Sequence, residues 1–326
     1  MNKAGASVFQ EHLELDRRHI WATLRSWMEV NAFKQLRKGG KRRHNWDLLE
    51  RALKVFAILL KITGMYERGQ AHAADIRLTE LEVPLRQLPP SFDGFTILHI
   101  TDPHFDSMPG VAEKILSLTD GLEFDICVLT GDYRLSIYGK FRQVLPSLET
   151  LVNGIASKEG FVATLGNHDT VFMVDPFEER GVRMLINETI RITRGEDTIY
   201  FTGVDDPHYY YTPMADEALE MAPDGCKIAL IHSPELYDLA EEFGYSLYLA
   251  GHTHGGQITL PDGRPIIKHL NNGKQFAKGL WHHNDMIGYT SNGAGSSGIP
   301  VRFNTRGEIT RVTLVQALSS SSRRSL

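Results

Sequence analysis

The sequence predicts an α/β domain preceded by a helical extension, and three observations carry that reading. From about residue 95 onward, apolar β-rich runs alternate with helical stretches, as in successive β-α-β units. Five of these runs end in residues of the kind that ligate metals. Ahead of residue 70 the apolar residues instead recur at helical spacing.

With 326 residues, 42% hydrophobic and 23% charged, the chain can bury a sizeable core. Its net charge of -5 gives no global basicity that would argue for a nucleic-acid partner. Cys127 and Cys226 are the two cysteines. Cys127 lies inside an apolar run, so a disulfide framework is not expected and a reducing, cytoplasmic compartment is. The polar N-terminus lacks the apolar stretch of a secretory signal, and no apolar run approaches the roughly 18 residues of a spanning helix.

Residues 8–33 read as an amphipathic helix with Phe9, Leu13, Ile20, Leu24, Trp27 and Met28 among its apolar positions. A basic cluster follows (Lys34, Arg37, Lys38, Lys41, Arg42, Arg43), then a second helix from about Trp46 to Ile62. Leu48, Leu49, Leu53, Phe56, Leu59 and Leu60 form its stripe. This helix either lies in a membrane interface, aided by the basic cluster and anionic lipid, or packs on the domain. Residues 1–70 are thus a helical extension, 71–318 the main domain and 319–326 a Ser/Arg-rich tail expected to be disordered.

Residues 74–85 alternate like a strand, and Pro84 places it at an edge or strand end. The five buried strands are expected at 95–100, 126–130, 161–165, 227–231 and 245–250, and helices at 110–119, 139–156, 172–180, 213–221 and 234–243. Further strands are expected at 183–193, 198–204, 257–260, 286–291 and 308–315.

The five strand ends read Thr101-Asp102-Pro103-His104, Gly131-Asp132, Gly166-Asn167-His168-Asp169, His232-Ser233 and Gly251-His252-Thr253-His254-Gly255-Gly256. In extended backbone, residues i and i+2 point to one side, so Asp102 with His104 and His252 with His254 can aim into one pocket. In α/β sheets, ligands bind outside the carboxyl ends of strands. Each motif alone has a structural reading: a turn, an N-cap or a core histidine. Five together argue for a site. Asp102, His104, Asp132, Asn167, His232, His252 and His254 are too many donors for one tetrahedral zinc, and they suit two metals sharing a carboxylate. Oxygen and nitrogen donors without thiolate favour Mn, with Fe or Zn as alternatives.

In this order the motifs resemble the calcineurin-like metallophosphoesterases, over roughly residues 92–315. The resemblance implies a two-sheet β-sandwich flanked by helices. It implies one metal on Asp102, His104, Asp132 and His254, and another on Asp132, Asn167, His232 and His252. A metal-bridging hydroxide would attack phosphorus. His168 would be the catalytic histidine, oriented by Asp169. Gly251 to Pro261 and Pro300-Val301-Arg302-Phe303-Asn304 look like the bacterial membrane-associated subgroup, which includes a UDP-2,3-diacylglucosamine pyrophosphatase of lipid A synthesis. One departure from many relatives is Arg134 after Gly131-Asp132-Tyr133: either a phosphate ligand or a surface residue. Asp205 to Tyr211 is either an aromatic loop near the site, with His208 and Tyr209 touching substrate, or a packed loop. Trp281-His282-His283 is a weaker candidate for the same role and otherwise reads as surface. The expected function is hydrolysis of a phosphodiester or pyrophosphate, on a lipid-linked or nucleotide substrate at the inner face of the membrane, with peripheral membrane contact through residues 8–63. The alternatives are a broad phosphodiesterase or phosphomonoesterase on soluble substrates, tolerant of losing residues 1–70, and a non-catalytic scaffold.

Overall fold

Continuous apolar runs belong to strands buried on both faces, and the computed structural model of the chain has that arrangement. It describes the backbone of residues 3–31, 33–37, 39–43 and 46–317, and the side chains of 17–31, 35, 37 and 51–317. The 319–326 tail and the side chains of Phe9, Leu13, Lys34, Lys38, Lys41, Arg42, Arg43, Leu48 and Leu49 lie outside the described residues.

The extension comprises α1 (Lys3–Val30), a hairpin of β1 (Phe33–Leu36) and β2 (Gly39–Arg43), α2 (Trp46–Ile62) and α3 (Met65–Ala74). The chain then makes β3 (Arg77–Leu85), β4 (Thr96–Ile100), α4 (Val111–Thr119), β5 (Glu123–Phe124), β6 (Ile126–Thr130), α5 (Leu145–Gly154), β7 (Ala156–Ser157), β8 (Phe161–Thr164), α6 (Val174–Glu178) and β9 (Val182–Met184). The second half contains β10 (Glu188–Arg194), β11 (Asp197–Gly203), α7 (Pro213–Glu220), β12 (Cys226–Leu230), α8 (Tyr237–Glu242), β13 (Leu247–Ala250), β14 (Gly279–His283), β15 (Met286–Thr290) and β16 (Glu308–Gln316).

Two six-stranded sheets result, ordered β3-β16-β4-β6-β8-β9 and β10-β11-β12-β13-β15-β14. In the first, β4, β6, β8 and β9 run parallel, and β16 lies antiparallel to β4 but parallel to β3. In the second, β11, β12, β13 and β15 are parallel, flanked by antiparallel β10 and β14. Strand alternation sorts the core. Ile97, Val128, Ile228 and Leu249 pack between the sheets, while Leu98, Ile100 and Leu129 face the helices of the first sheet. Ala229 and Tyr248 face the helices of the second. The expected two-sheet α/β sandwich is therefore the observed architecture, and β3, with Pro84, is an edge strand.

Three local expectations differ. Residues 257–260 form isolated bridges, Ile258 with Phe303 and Thr259 with Pro265, rather than a strand. Trp281-His282-His283 is edge strand β14, with Trp281 buried against Phe276. Of the basic cluster, Lys34, Lys41, Arg42 and Arg43 fall on the β1–β2 hairpin, where Gln35 bridges Tyr210 in parallel, and Arg37 pairs with Asp238 at 2.5 Å. Among the described residues no helix is long and apolar enough to cross a membrane.

Candidate metal centre

Because β4, β6 and β8 are parallel neighbours in one sheet and β12 and β13 in the other, their carboxyl ends deliver all five motifs to one edge of the sandwich. There the nitrogen and oxygen atoms of Asp102, His104 and His254 lie within 4.8 Å of one another. So do those of His104, Asp132 and His168, and those of Asp132, His232 and His252. Asp132 stands between the groups: its Oδ2 is 3.3 Å from His232 Nε2, 3.8 Å from His104 Nε2 and 3.9 Å from His168 Nε2. Asn167 Oδ1 lies 2.8 Å from His252 Nδ1 and 3.2 Å from His232 Nε2.

The imidazoles are oriented from behind. His104 Nδ1 donates to the Arg134 carbonyl, His232 Nδ1 to the Thr130 carbonyl and His252 Nε2 to the His269 carbonyl, each at 2.7 Å. Only an N–H can make such bonds, so in its neutral form each ring turns its opposite nitrogen inward as a lone pair. It meets the Asn167 oxygen and two carboxylates. A buried wall made of acceptors is costly to leave unpaired, and a cation satisfies it. The donor set therefore fits divalent metal ions.

Burial and proximity disturb the titration of this cluster. Burial pushes the Asp102 carboxyl up to about 7, with Asp132 adding to the shift. Burial also lowers His104 to about 4 and holds His252 and His254 well below the usual range, helped by neighbouring imidazoles. Burial opposes the charge on His232 too, but Asp132 outweighs it and raises that ring well above its ordinary value.

The sequence model of the calcineurin-like phosphoesterases matches residues 95–256, which contain all five motifs. The chain belongs to this family. The phosphoesterase is a metal-dependent hydrolase of phosphoric esters, and the family works with divalent metal ions. It is 28% identical over 270 residues to the uncharacterised metallophosphoesterase YkoQ of Bacillus subtilis, covering 78% of this chain and 96% of that one. It is 31% identical over 283 residues to a zebrafish (Danio rerio) transmembrane protein with a metallophosphoesterase domain, covering 81% of this chain and 62% of that one. It is 26% identical over 230 residues to the Escherichia coli phosphodiesterase YaeI, covering 68% and 82% respectively.

Other residues of the phosphoesterase take places the sequence did not indicate. Asp169, read from the sequence as orienting His168, is bonded to backbone groups of the motif turns. Its carboxylate accepts from the backbone N–H groups of Asp132, Tyr133 and Gly166, tying two motif turns together. His168 is held through Nδ1 by the Leu135 carbonyl, and its backbone N–H donates to Asp132 Oδ1 at 2.8 Å. Arg134 is neither a surface residue nor open to substrate: it is buried and donates to the carbonyls of His168, Gly139 and Ile137. His208 and Tyr209 are buried on the 205–211 loop. The His208 ring lies 4.2 Å from that of His252 and bonds Glu235, and Tyr209 stacks behind it. They thus flank the cluster rather than project into solvent.

Arg302 received no role from the sequence. It is fully buried, donates to the carbonyls of His254, Asn292, Gly293 and Gly295, and has its Nη2 3.4 Å from His254 Nδ1. His269, whose carbonyl orients His252 and whose ring nitrogen lies within 4.8 Å of those of His208 and His252, also received no role from the sequence.

Proposed function

We propose that the phosphoesterase cleaves a phosphodiester or pyrophosphate bond using two divalent cations. One would be held by Asp102, His104, Asp132 and His254, the other by Asp132, Asn167, His232 and His252. The observation that carries this is the acceptor-lined cluster with Asp132 at its centre. When bound, such cations polarise phosphoryl oxygens and lower the pKa of water. Mn suits the donor set, with Fe or Zn as alternatives.

The chain's own groups supply the rest. Leu135 fixes His168 through Nδ1, which leaves Nε2 on the cluster side, 3.9 Å from Asp132 Oδ2. From there a protonated Nε2 can donate to a phosphoryl oxygen or protonate the leaving oxygen. Asp132 Oδ1, by accepting the His168 backbone N–H, couples the carboxylate that both cations would share to the position of that residue. Arg134 braces the same residue through its carbonyl.

A lipid-linked or nucleotide substrate such as UDP-2,3-diacylglucosamine, met at the inner face of the membrane, is the sharper form of this reading. Apolar side chains left exposed on both long helices of the extension support it: Ile20, Leu24 and Trp27 on α1, and Val55, Ile58 and Ile62 on α2. A broader phosphodiesterase on soluble substrates fits the cluster equally, and one relative carries the name phosphodiesterase. Deleting residues 1–70 is a poor discriminator between the two, because Arg25 of α1 reaches the Gly166–Asp169 turn.

The test is turnover by Mn-loaded protein on bis-p-nitrophenyl phosphate, p-nitrophenyl phosphate and UDP-2,3-diacylglucosamine in detergent micelles. Preference for the lipid nucleotide, with UMP released, supports the sharper form. Activity on the simple diester alone supports the broader one. Asp132→Ala should abolish turnover, and a mutant at full rate would sink the dimetal reading.

A further inference from the structure

We propose that Arg25 of the helical extension is a positioning residue for the Gly166–Asp169 turn, so that α1 is a working part of the active site. The proposal rests on the reading of Asn167 as a metal ligand and His168 as a proton donor.

Arg25 is fully buried. Its Nη2 donates to the carbonyls of Gly166 at 3.1 Å and Asp169 at 2.9 Å, from 141 and 144 residues away in the chain. Its Nη1 bonds Asp205 Oδ1 at 2.5 Å and its Nε bonds Glu29 Oε1 at 2.7 Å. The guanidinium carbon also lies over Tyr210, 3.6 Å from the ring centre. Glu29, one turn further along α1, continues the grip: it accepts from Thr170 Oγ1 at 2.6 Å and from the Val171 N–H at 3.0 Å. The two side chains therefore hold residues 166, 169, 170 and 171, and Asn167 and His168 lie between the held points.

The turn is fixed from its other side by the Asp169 carboxylate and by the bond from His168 N–H to Asp132. It is clamped between the domain's own motif and an element far upstream in sequence. A helix that needed only to pack would place an apolar residue here. Burying a guanidinium is costly unless its donors are used, and here Nη2 is used on the backbone of the turn while Nη1 and Nε are used on Asp205 and Glu29. Burial opposes the charge, but Asp205 and Glu29 outweigh it and hold the pKa of Arg25 above its usual value. Trp21 Nε1 adds a bond to Asp205 at 2.6 Å, fixing that carboxylate from the same helix. Arg25 touches neither the acceptor cluster nor any reacting atom, so it acts through the turn.

The test compares full-length wild type with Arg25→Met, Arg25→Lys and, as a control on the exposed side of α1, Arg17→Ala. Arg17 makes only a solvent-exposed pair with Glu217 among the described residues. Three readouts are taken: amide hydrogen exchange over residues 161–173, calorimetric Mn binding, and kcat and KM on bis-p-nitrophenyl phosphate. Arg25→Met should speed exchange at 166–171 and weaken Mn binding at one of two sites. It should also lower kcat by about tenfold or more with KM within about twofold, since a small misplacement of a reacting group is enough for such a loss. Millimolar guanidinium should restore part of kcat in Arg25→Met and none in wild type, Arg25→Lys should fall between, and Arg17→Ala should match wild type. If Arg25→Met does not fold, Glu29→Gln, which keeps the helix and its length, should show the same exchange signature at 170–171. Unchanged exchange with wild-type kcat, or a loss of thermal stability alone, overturns the proposal. If wild type itself fails to hydrolyse the diester, the functional reading fails, while the exchange comparison still judges the clamp.

Discussion

Asp102, His104, Asp132, His252 and His254 have φ of 50°, 38°, 60°, 70° and 51°. Five of the seven proposed ligands thus occupy the left-handed region, at a cost on the order of 1–2 kcal/mol each for a residue with a side chain. This revises the geometric argument from sequence. The i, i+2 pairs converge because of left-handed turns beyond the strand ends, not because extended backbone points them to one side. The strain is supported by the surroundings: a Cβ on Gly251 would sit 2.1 Å from both Asp102 Oδ2 and Thr101 Oγ1. Gly251→Ala should therefore displace Asp102, destabilise the fold by about 1–3 kcal/mol and weaken Mn binding. Calorimetry on the variant checks this, and wild-type affinity would refute it. Protons compete with metal at the same residue. Burial raises the Asp102 carboxyl from 3.8 to about 7, so below that pH the metal-free folded protein holds a proton that a cation must displace. Mn affinity should rise as pH climbs through about 7, with proton uptake by the buffer. Titrations in two buffers of different ionisation enthalpy measure it, and a flat affinity from roughly pH 6 to 8 speaks against it. The ligand residue types were legible because their chemistry shows in their names. The roles of Asp169, Arg134 and the His269 carbonyl were not, since each acts through backbone partners that a sequence does not reveal.

At the scale of elements, α2 answers a question the sequence left open. Its stripe was legible, but two apolar faces were superimposed in it. Leu53, Ala57 and Leu60 pack with Ile299, Val301 and Phe303, so the helix docks on the domain. Val55, Ile58, Leu59 and Ile62 remain exposed on the opposite side. A docked helix that keeps a second apolar face is suited to a lipid surface. Ile58→Asp with Ile62→Asp should cut cosedimentation with anionic vesicles severalfold while leaving diester hydrolysis intact. Equal cosedimentation of mutant and wild type would remove the membrane reading. Helix α3 escaped the sequence because Gly69 interrupts it, and the reason is packing: a Cβ there would lie 2.7 Å from Val301 Cβ. Strand β14 escaped because its two histidines read as polar surface, while Trp281 supplies its buried anchor.

Taken whole, the molecule shows why a site can be read when a topology cannot. Five strands ending in ligands mark one rim, and parallel neighbours must share a rim. Nothing in the sequence states which strand lies beside which. The register of β16 between β3 and β4, with Thr310 opposite His99 and Thr313 opposite Thr96, is fixed only by the folded core. Glu308 at its start accepts from Tyr289, Ser291 and Asn292, closing the loop that packs against Asp102. This placement bears on how the protein is made. All five motifs precede residue 257 in the chain, but β16, one of the two strands that flank β4, begins only at Glu308. A chain made from its N-terminus therefore carries its complete set of ligands before β16 is added, and the sheet that aligns them closes after the ligands are in place.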